Sequence, residues 1–425
     1  MTAPNRATLW GRTVVDELVA AGLDAACVAP GSRSTPLTLA LADHDDVTVF
    51  SHLDERSAAF FALGRGKRTG RPTAVVCTSG TAAANFHPAV VEADEGRVPL
   101  LLLTADRPAE LHDSGANQTV DQDRLYGDAV RWYRTLPEPS PEPRRLRSLR
   151  TTVARAVAAT TGRPPGPVHL NVPLAKPLEP TPVDGDVPAD LAERAPDAVA
   201  GRDGPFVATS GGSLDPDPDA VADVAAALDA ADRPLLVCGP TDAPAPSREA
   251  LAALADATGA PVLADPLSGH RFGPHVAERP VCGAYDAYLD ERVTAGWPAP
   301  DVAVRFGASP TSKSLRRYLA KSGARQVVVD AGGGWPEAEF RATDRLVADA
   351  DPVARALADS VTSRAVQDWR ERFARAEAVA ADAADGADPA MEGSVLRTVA
   401  ARTPDPATLV VSNSMPVRDL DRFGE

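Results

Sequence analysis

The pattern of apolar and polar residues over the first 180 positions alternates between helical spacing and short unbroken apolar runs. Leu9, Val14 and Leu18 recur at helical spacing and Gly22 supplies a stop, which predicts a helix over residues 8–22. Apolar runs that predict buried strands occupy residues 25–29, 47–50, 73–77, 99–104 and 168–172. Because strands that alternate with helices indicate a doubly wound parallel sheet, the predicted fold class is α/β.

The same alternation starts again near Phe206 and predicts a second α/β domain over residues 206–355. Its predicted strands are 235–238, 262–264, 302–306 and 326–330, and its predicted helices are 219–231, 247–258 and 312–322. Residues 177–205 are rich in Pro, Asp and Gly and lack periodicity, which predicts an interdomain linker.

A third unit is predicted over residues 388–425, after a helix at about 364–383 and a soft stretch at 382–389. It holds a helix over 392–402, one strand over 408–411 and a loop over 412–419. A lone parallel strand cannot satisfy its own backbone groups. The third domain is therefore predicted to be incomplete.

The charge of the chain excludes two classes of partner. Its 425 residues carry a net charge of -15, and such an acidic surface repels nucleic acid and anionic membranes. No apolar run reaches the roughly 18 residues of a membrane span, and the first ten residues lack the basic start of a signal peptide. We expect a soluble, cytoplasmic protein.

Only four of the 44 basic residues are lysines, as in extreme halophiles, although a GC-rich genome also favours Arg over Lys.

The four cysteines fit a reducing compartment. Cys27, Cys77, Cys238 and Cys282 lie far apart, and no C-x-x-C pair is present. They are predicted to be free, buried thiols, with neither a disulfide framework nor a zinc site. His270 and His275 lack a third ligand, which disfavours a metal pair.

Glu55 is the strongest candidate for acid/base chemistry. It stands between a predicted strand that ends at Phe50 and a helix whose small and apolar residues begin at Ala58. Burial there would raise the pKa of its carboxyl above the ordinary value, because desolvation disfavours the anion. The plain alternative is a first-turn glutamate that favours the helix dipole or pairs with Arg56.

Small-residue loops follow several predicted strands and suit a flat or anionic ligand. Residues 30–36 combine Ser hydroxyls, the Arg33 guanidinium and a helix start, although a simple turn with capping serines explains them equally well. Residues 78–85 would let a ligand approach the backbone closely. Lys313 follows a predicted strand at the first turn of a helix, where an ordinary surface lysine is also expected. Ligands of open α/β sheets bind at this carboxyl edge.

Seven motifs in order closely resemble the family of 2-succinyl-5-enolpyruvyl-6-hydroxy-3-cyclohexene-1-carboxylate synthases, thiamine-diphosphate enzymes of menaquinone biosynthesis. They are PGSRSTPL (30–37), HLDERSAAFFALG (52–64), TSGTAAAN (78–85), TADRP (104–108), GANQ (115–118), Lys313 after a strand, and SNSMPVRDLD (412–421). The resemblance implies a pyrimidine-binding domain over 1–180, a central domain over 206–355 and the start of a diphosphate-binding domain over 388–425. It implies a homodimer or higher homo-oligomer with shared active sites.

The resemblance also implies a chemistry and a set of site residues. Glu55 would share a proton with the cofactor's pyrimidine ring and so activate it, while Ser79, Gly80 and Thr81 line the pyrimidine pocket. The enzyme would decarboxylate 2-oxoglutarate and add the product to isochorismate. The residues implied to hold these anions are Ser32, Arg33, Arg107, Gln118, Lys313, Ser414 and Arg418.

Two departures from the family pattern stand out. Some members carry Lys-Arg where this chain has Lys313-Ser314, so Lys313 would act alone or with Arg316 or Arg317. The Gly-Asp-Gly stretch that holds Mg²⁺ and diphosphate is expected beyond residue 425, so no metal ligand is expected within this chain. The nearest string, residues 184–186, has the wrong order.

Two other functions remain open from the sequence. One is another thiamine-diphosphate-dependent 2-oxo acid decarboxylase or carboligase, which would consume 2-oxoglutarate without regard to isochorismate. The other is a non-catalytic binding or assembly module with the same fold, which would not bind the cofactor.

Overall fold

A computed structural model describes residues 3–240, 245–278, 281–290, 292, 296–362, 366–404 and 406–424. The chain divides into two compact units, Met1–Gly211 and Gly212–Glu425. Each unit is built around a parallel sheet, which confirms the predicted doubly wound α/β fold. No helix among the described residues combines the length and apolarity that a bilayer crossing requires.

The first unit is a six-stranded parallel sheet with the order β2-β1-β3-β4-β6-β5. The strands are β1 (Ala25–Val28), β2 (Thr48–Ser51), β3 (Thr73–Cys77), β4 (Leu100–Asp106), β5 (Trp132–Thr135) and β6 (Pro167–Pro173). The helices are α1 (Arg6–Ala20), α2 (Thr35–Ala42), α3 (Glu55–Thr69), α4 (Thr81–Ala84), α5 (His87–Glu95), α6 (Pro143–Thr160), α7 (Leu191–Arg194) and α8 (Pro196–Ala200).

The central strands of this sheet are buried on both faces. Every residue of β1, β3, β4 and β6 is buried, as expected of parallel strands covered by helices on each side. The edge strand β2 differs from its prediction as a buried strand, because Thr48 and Ser51 are exposed. Only β1 pairs with β2, so its outer edge faces away from the core.

The predicted linker at 177–205 packs against the first unit instead. Leu191, Ala195 and Ala198 are buried in the core that also holds α1 and α6. The guanidinium of Arg150 donates hydrogen bonds to the carbonyls of Ala198 (3.0 Å) and Val199 (2.6 Å). The sequence did not predict the short helices α7 and α8 of this segment, because each is too short to show a helical period of apolar residues.

The second unit holds a five-stranded parallel sheet with the order β11-β10-β9-β7-β8. The strands are β7 (Pro234–Cys238), β8 (Val262–Ala264), β9 (Val302–Phe306), β10 (Arg325–Val329) and β11 (Asp344–Leu346). The helices are α9 (Pro218–Ala230), α10 (Arg248–Thr258), α11 (His275–Glu278), α12 (Tyr285–Tyr288), α13 (Lys313–Ser322), α14 (Ala350–Ser360), α15 (Gln367–Asp385), α16 (Glu392–Arg402) and α17 (Met415–Phe423).

Residues 388–425, predicted to start a third domain, lie within the second unit. The strand predicted over 408–411 is wrong, since these residues form no strand and Val410 is exposed. An apolar run forms a strand only where a neighbouring strand accepts its backbone groups. The end of the predicted loop at 412–419 belongs instead to α17, which begins at Met415.

Candidate active site

The loops after β1, β3 and β4 meet at the carboxyl edge of the first sheet. The amide of Arg33 approaches the hydroxyl of Thr78 at 3.3 Å, and Ser79 donates to the carbonyl of Gln118 at 3.0 Å. The guanidinium of Arg107 donates to the carbonyl of Asn117 at 3.0 Å. Residues predicted from four separate motifs therefore lie in one neighbourhood.

Glu55 is the first residue of α3, behind an N-cap in which Asp54 accepts a hydrogen bond from the amide of Ser57 at 2.7 Å. Its side chain is half-buried, so the sequence prediction of a sequestered carboxylate was too strong. The adjacent Leu53 is fully exposed, and nothing within the described residues of this unit covers that corner. The Glu55 carboxylate lies close enough to Cys77, at the end of β3, to raise the pKa of that thiol together with burial, the larger cause.

The backbone at Gly80 provides a place where no side chain would fit. Its φ is +88°, in the region that favours glycine, and a Cβ there would lie 3.0 Å from the Cγ of Gln118. Gln118 itself has a φ of 56° and an exposed side chain. Ser79 is buried and Thr81, the first residue of α4, is exposed. The backbone at Ser79 and Gly80 is therefore packed closely against Gln118.

Arg33 and Arg107 form a positive pair beside this backbone. Arg33 is buried, and burial and then the neighbouring Arg107 lower the pKa of its guanidinium, with Asp106 opposing them. The Nε atoms of both arginines are buried without a hydrogen-bond partner. Two adjacent guanidinium groups with free donors suit an anionic ligand. Ser32, beside them, is exposed.

A buried network of polar side chains lies behind the two arginines, and the sequence did not predict it. The amide of Gly80 donates to Oε1 of Gln122 at 2.8 Å, and Nε2 of Gln122 donates to Oδ1 of Asn171 at 2.8 Å. Nδ2 of Asn171 donates to Oδ2 of Asp106 at 2.7 Å, and Oδ1 of Asp106 accepts from the amide of Arg107 at 2.7 Å. Burial raises the pKa of Asp106, opposed by these hydrogen bonds.

His169 and Thr104 complete that network from the sheet side. His169 Nε2 lies 2.6 Å from the Thr104 hydroxyl, which donates to Oδ1 of Asn171 at 2.9 Å. The single hydroxyl proton is thus already given to Asn171, so His169 carries its proton on Nε2. Burial lowers the pKa of His169 to about 3, which keeps the ring neutral.

The second unit holds the remaining predicted residues. Lys313 is exposed and begins α13, whose N-cap Ser312 donates to Asp286 at 2.5 Å and accepts from the amide of Leu315 at 3.1 Å. Arg418 is exposed on α17, and Ser414 is its N-cap with a φ of 71°. Asp421, one turn after Arg418, is buried beside Tyr285, Asp265 and Asp286. Asp286 therefore lies near both the start of α13 and Asp421 of α17.

Two further sequence predictions concern cations. Arg316 forms an ion pair with Glu339, with the charged atoms 3.4 Å apart. The exposed Arg317 is therefore the better candidate for a second cation that would bind an anion together with Lys313. Within the described ranges, no group of three or more His, Cys, Asp or Glu side chains is arranged to hold a metal ion. Nε2 of His275 instead lies 2.9 Å from the carbonyl of His270.

The chain is similar to known proteins along its whole length. Residues 10–125 match the family model of the thiamine pyrophosphate enzyme N-terminal TPP binding domain. The whole chain is 61% identical to a 2-succinyl-5-enolpyruvyl-6-hydroxy-3-cyclohexene-1-carboxylate synthase of Haloarcula marismortui and covers 73% of its length. Synthases of the same name from Halobacterium salinarum and Roseiflexus sp. are 60% and 47% identical, over 100% and 99% of this chain and 72% of each relative.

Proposed function

The chain belongs to the 2-succinyl-5-enolpyruvyl-6-hydroxy-3-cyclohexene-1-carboxylate synthase family of thiamine-diphosphate-dependent enzymes, and we propose that its substrates are 2-oxoglutarate and isochorismate. The family makes it a carbon–carbon bond-forming transferase of menaquinone biosynthesis. The observation that carries the substrate proposal is the Arg33 and Arg107 pair, because both substrates are dianions and both Nε atoms lack a partner. The repulsion between the buried Arg33 and the half-buried Arg107 is relieved when a carboxylate binds between them.

In this proposal the residues of the first unit have separate roles in binding the cofactor and the substrates. Glu55 holds a proton opposite a pyrimidine nitrogen, Ser79, Gly80 and Thr81 contact the ring through their backbone, and Arg33 and Arg107 orient substrate carboxylates. Ser32 and Gln118 supply hydrogen bonds to hydroxyl or carboxylate oxygens. When bound, thiamine diphosphate supplies the nucleophilic carbon and the electron sink for decarboxylation.

The second unit contributes Lys313, Ser414 and Arg418 to substrate binding in the same proposal. All three side chains are exposed and two are cationic, on a chain whose net charge is -15. Local positive charge is needed to attract dianions against the overall field. Mg²⁺ is proposed as the companion of the cofactor's diphosphate, on the strength of the family resemblance alone.

We also propose that the protein is a homodimer or higher homo-oligomer whose subunits share active sites. Support comes from exposed apolar side chains around the start of α3, where Leu53, Phe60 and Phe61 are 102%, 41% and 41% exposed. Such a cluster beside a half-buried Glu55 would be covered by a second copy. A cytoplasmic location is supported by the four free, buried thiols.

The test of this function is Glu55→Gln. The amide keeps the shape of the side chain but cannot hold the proton, so exchange of the cofactor's C2 proton for deuterium and consumption of 2-oxoglutarate should both fall by about 10²-fold or more. Exchange is followed by proton NMR with thiamine diphosphate and Mg²⁺, and the melting temperature should be unchanged.

Glu392→Gln is the matched control, because Glu392 also begins a helix and carries no proposed role. It should leave both rates at the wild-type level. Undiminished exchange in Glu55→Gln would refute the role of Glu55. Consumption of 2-oxoglutarate that does not depend on isochorismate would point to a different decarboxylase or carboligase.

A further inference from the structure

Asn171 occupies the centre of the buried network at the ends of β4 and β6. It pairs in register with Thr104 on the neighbouring strand, and its side chain is fully buried. Its amide makes three side-chain hydrogen bonds, with Thr104, Gln122 and Asp106. A planar amide with these fixed partners has one orientation, because reversing it would face donors with donors.

The two ends of the network reach the two halves of the proposed site. At one end Gln122 accepts from the amide of Gly80, in the backbone that would contact the pyrimidine. At the other end Asp106 accepts from the amide of Arg107, which would hold a substrate carboxylate. Both ends are buried, so a displacement at Asn171 is not absorbed by water.

We propose that Asn171 is a positioning residue that holds the cofactor-contacting backbone at Gly80 and the substrate arginine Arg107 in one fixed register. The role rests on the proposed function, since it assigns ligands to Gly80 and Arg107. Asn171 itself touches neither ligand. It acts through Gln122 on one side and through Asp106 on the other.

The hydrogen-bond directions provide a sharp test. In Asn171→Asp a carboxylate faces the carboxylate of Asp106, and the hydrogen bond between them is replaced by repulsion. The double variant, which combines Asn171→Asp with Asp106→Asn, exchanges the two roles. The carboxylate introduced at position 171 still accepts from Thr104 and Gln122. The amide introduced at position 106 donates to that carboxylate, and its oxygen accepts from the amide of Arg107.

Affinities for thiamine diphosphate with Mg²⁺ and for isochorismate are measured by calorimetry at pH 8. The single variant should weaken both affinities by about tenfold or more, and the double variant should restore them to within about threefold of wild type. The Michaelis constant for isochorismate should follow the same order.

Asn5→Asp is the matched control for damage to the fold. Asn5 is also a fully buried amide of the first unit, and its Nδ2 donates to the carbonyls of Glu179 and Thr181 at 2.8 and 3.0 Å. It should lower the melting temperature and leave both affinities unchanged. Weakened affinities in Asn5→Asp equal to those in Asn171→Asp would assign the effect to stability and overturn the positioning role.

The remaining outcomes separate the inference from the proposed function. Unchanged affinities in Asn171→Asp, or failure of the double variant to restore them, overturn the positioning role while the proposed function stands. A wild-type protein that binds neither ligand overturns the proposed function and the inference with it.

Discussion

Asp421 carries a buried carboxyl whose protonation is linked to folding. It is 2% exposed, and burial, followed by Asp265 and Asp286, raises the pKa from 3.8 to about 8, while Tyr285 and Arg271 oppose the shift. Because the folded pKa lies above the unfolded one, the stabilisation is complete below about pH 4 and is lost as the pH rises to about 8.

Asp421→Asn should remove that pH dependence. The free energy of unfolding of the variant relative to wild type should increase between pH 5 and 8, by up to about 1.4 kcal/mol per pH unit, and level off above. Urea unfolding at five pH values measures the difference. Asp368→Asn, at an exposed carboxyl, is measured in parallel as the control for the loss of a surface charge. A constant difference for Asp421→Asn would contradict the linkage.

Single residues differ in how far the sequence identifies them. Arg33, Arg107 and Gly80 lie in motifs directly after predicted strands, so their position at one sheet edge followed from the parallel fold. Asn171 and Gln122 carry no local signal, because their hydrogen-bond partners are 17 or more positions away along the chain. A lone Asn in an apolar strand becomes informative only when the neighbouring strand is known. Glu55 was predicted to be buried from its apolar neighbours, but Phe60 and Phe61 among them are exposed.

At the scale of elements, α13 depends on its N-cap. Ser312 satisfies the amide of Leu315 and also donates to Asp286, so it fixes the first turn that carries Lys313. Ser312→Ala should lower the free energy of unfolding by about 1 kcal/mol. If Lys313 binds substrate from that turn, the variant should also weaken isochorismate binding, measured by calorimetry.

Ser247→Ala at the N-cap of α10 is the comparison, since Ser247 accepts from the amide of Ala250 at 3.1 Å. A similar loss of stability with unchanged binding is expected there. If Ser312→Ala and Ser247→Ala weakened isochorismate binding equally, Lys313 would have no specific role in binding the substrate.

Elements with strong periodicity or long apolar runs were predicted correctly, and those that depend on partners were not. The strands β1, β3, β4, β6, β7 and β9 occupy their predicted positions to within a residue or two. The run at 408–411 had equal apolar character but forms no strand, and β5 was missed because its burial is only partial. Strand formation is decided by pairing, which a local pattern does not contain.

At the scale of the whole molecule, charge rather than topology sets the response to salt. The chain has 59 acidic and 44 basic residues, and its isoelectric point is about 5.0. Repulsion among the excess carboxylates destabilises the compact state near neutral pH. Salt screens this repulsion, since the screening length falls from about 10 Å at 0.1 M to about 3 Å at 1 M.

Raising KCl from 0.1 to 2 M at pH 8 should therefore raise the melting temperature by about 5 °C, a change of roughly 1 to 2 kcal/mol for units of this size. Screening also weakens surface ion pairs, but each contributes little, so the net repulsion decides the sign. The same titration at pH 5, where the net charge is near zero, is the control. If the cause is charge repulsion, the rise should be small there, because few excess carboxylates remain ionised. An equal rise at both pH values would assign the effect to salting-out of apolar surface instead.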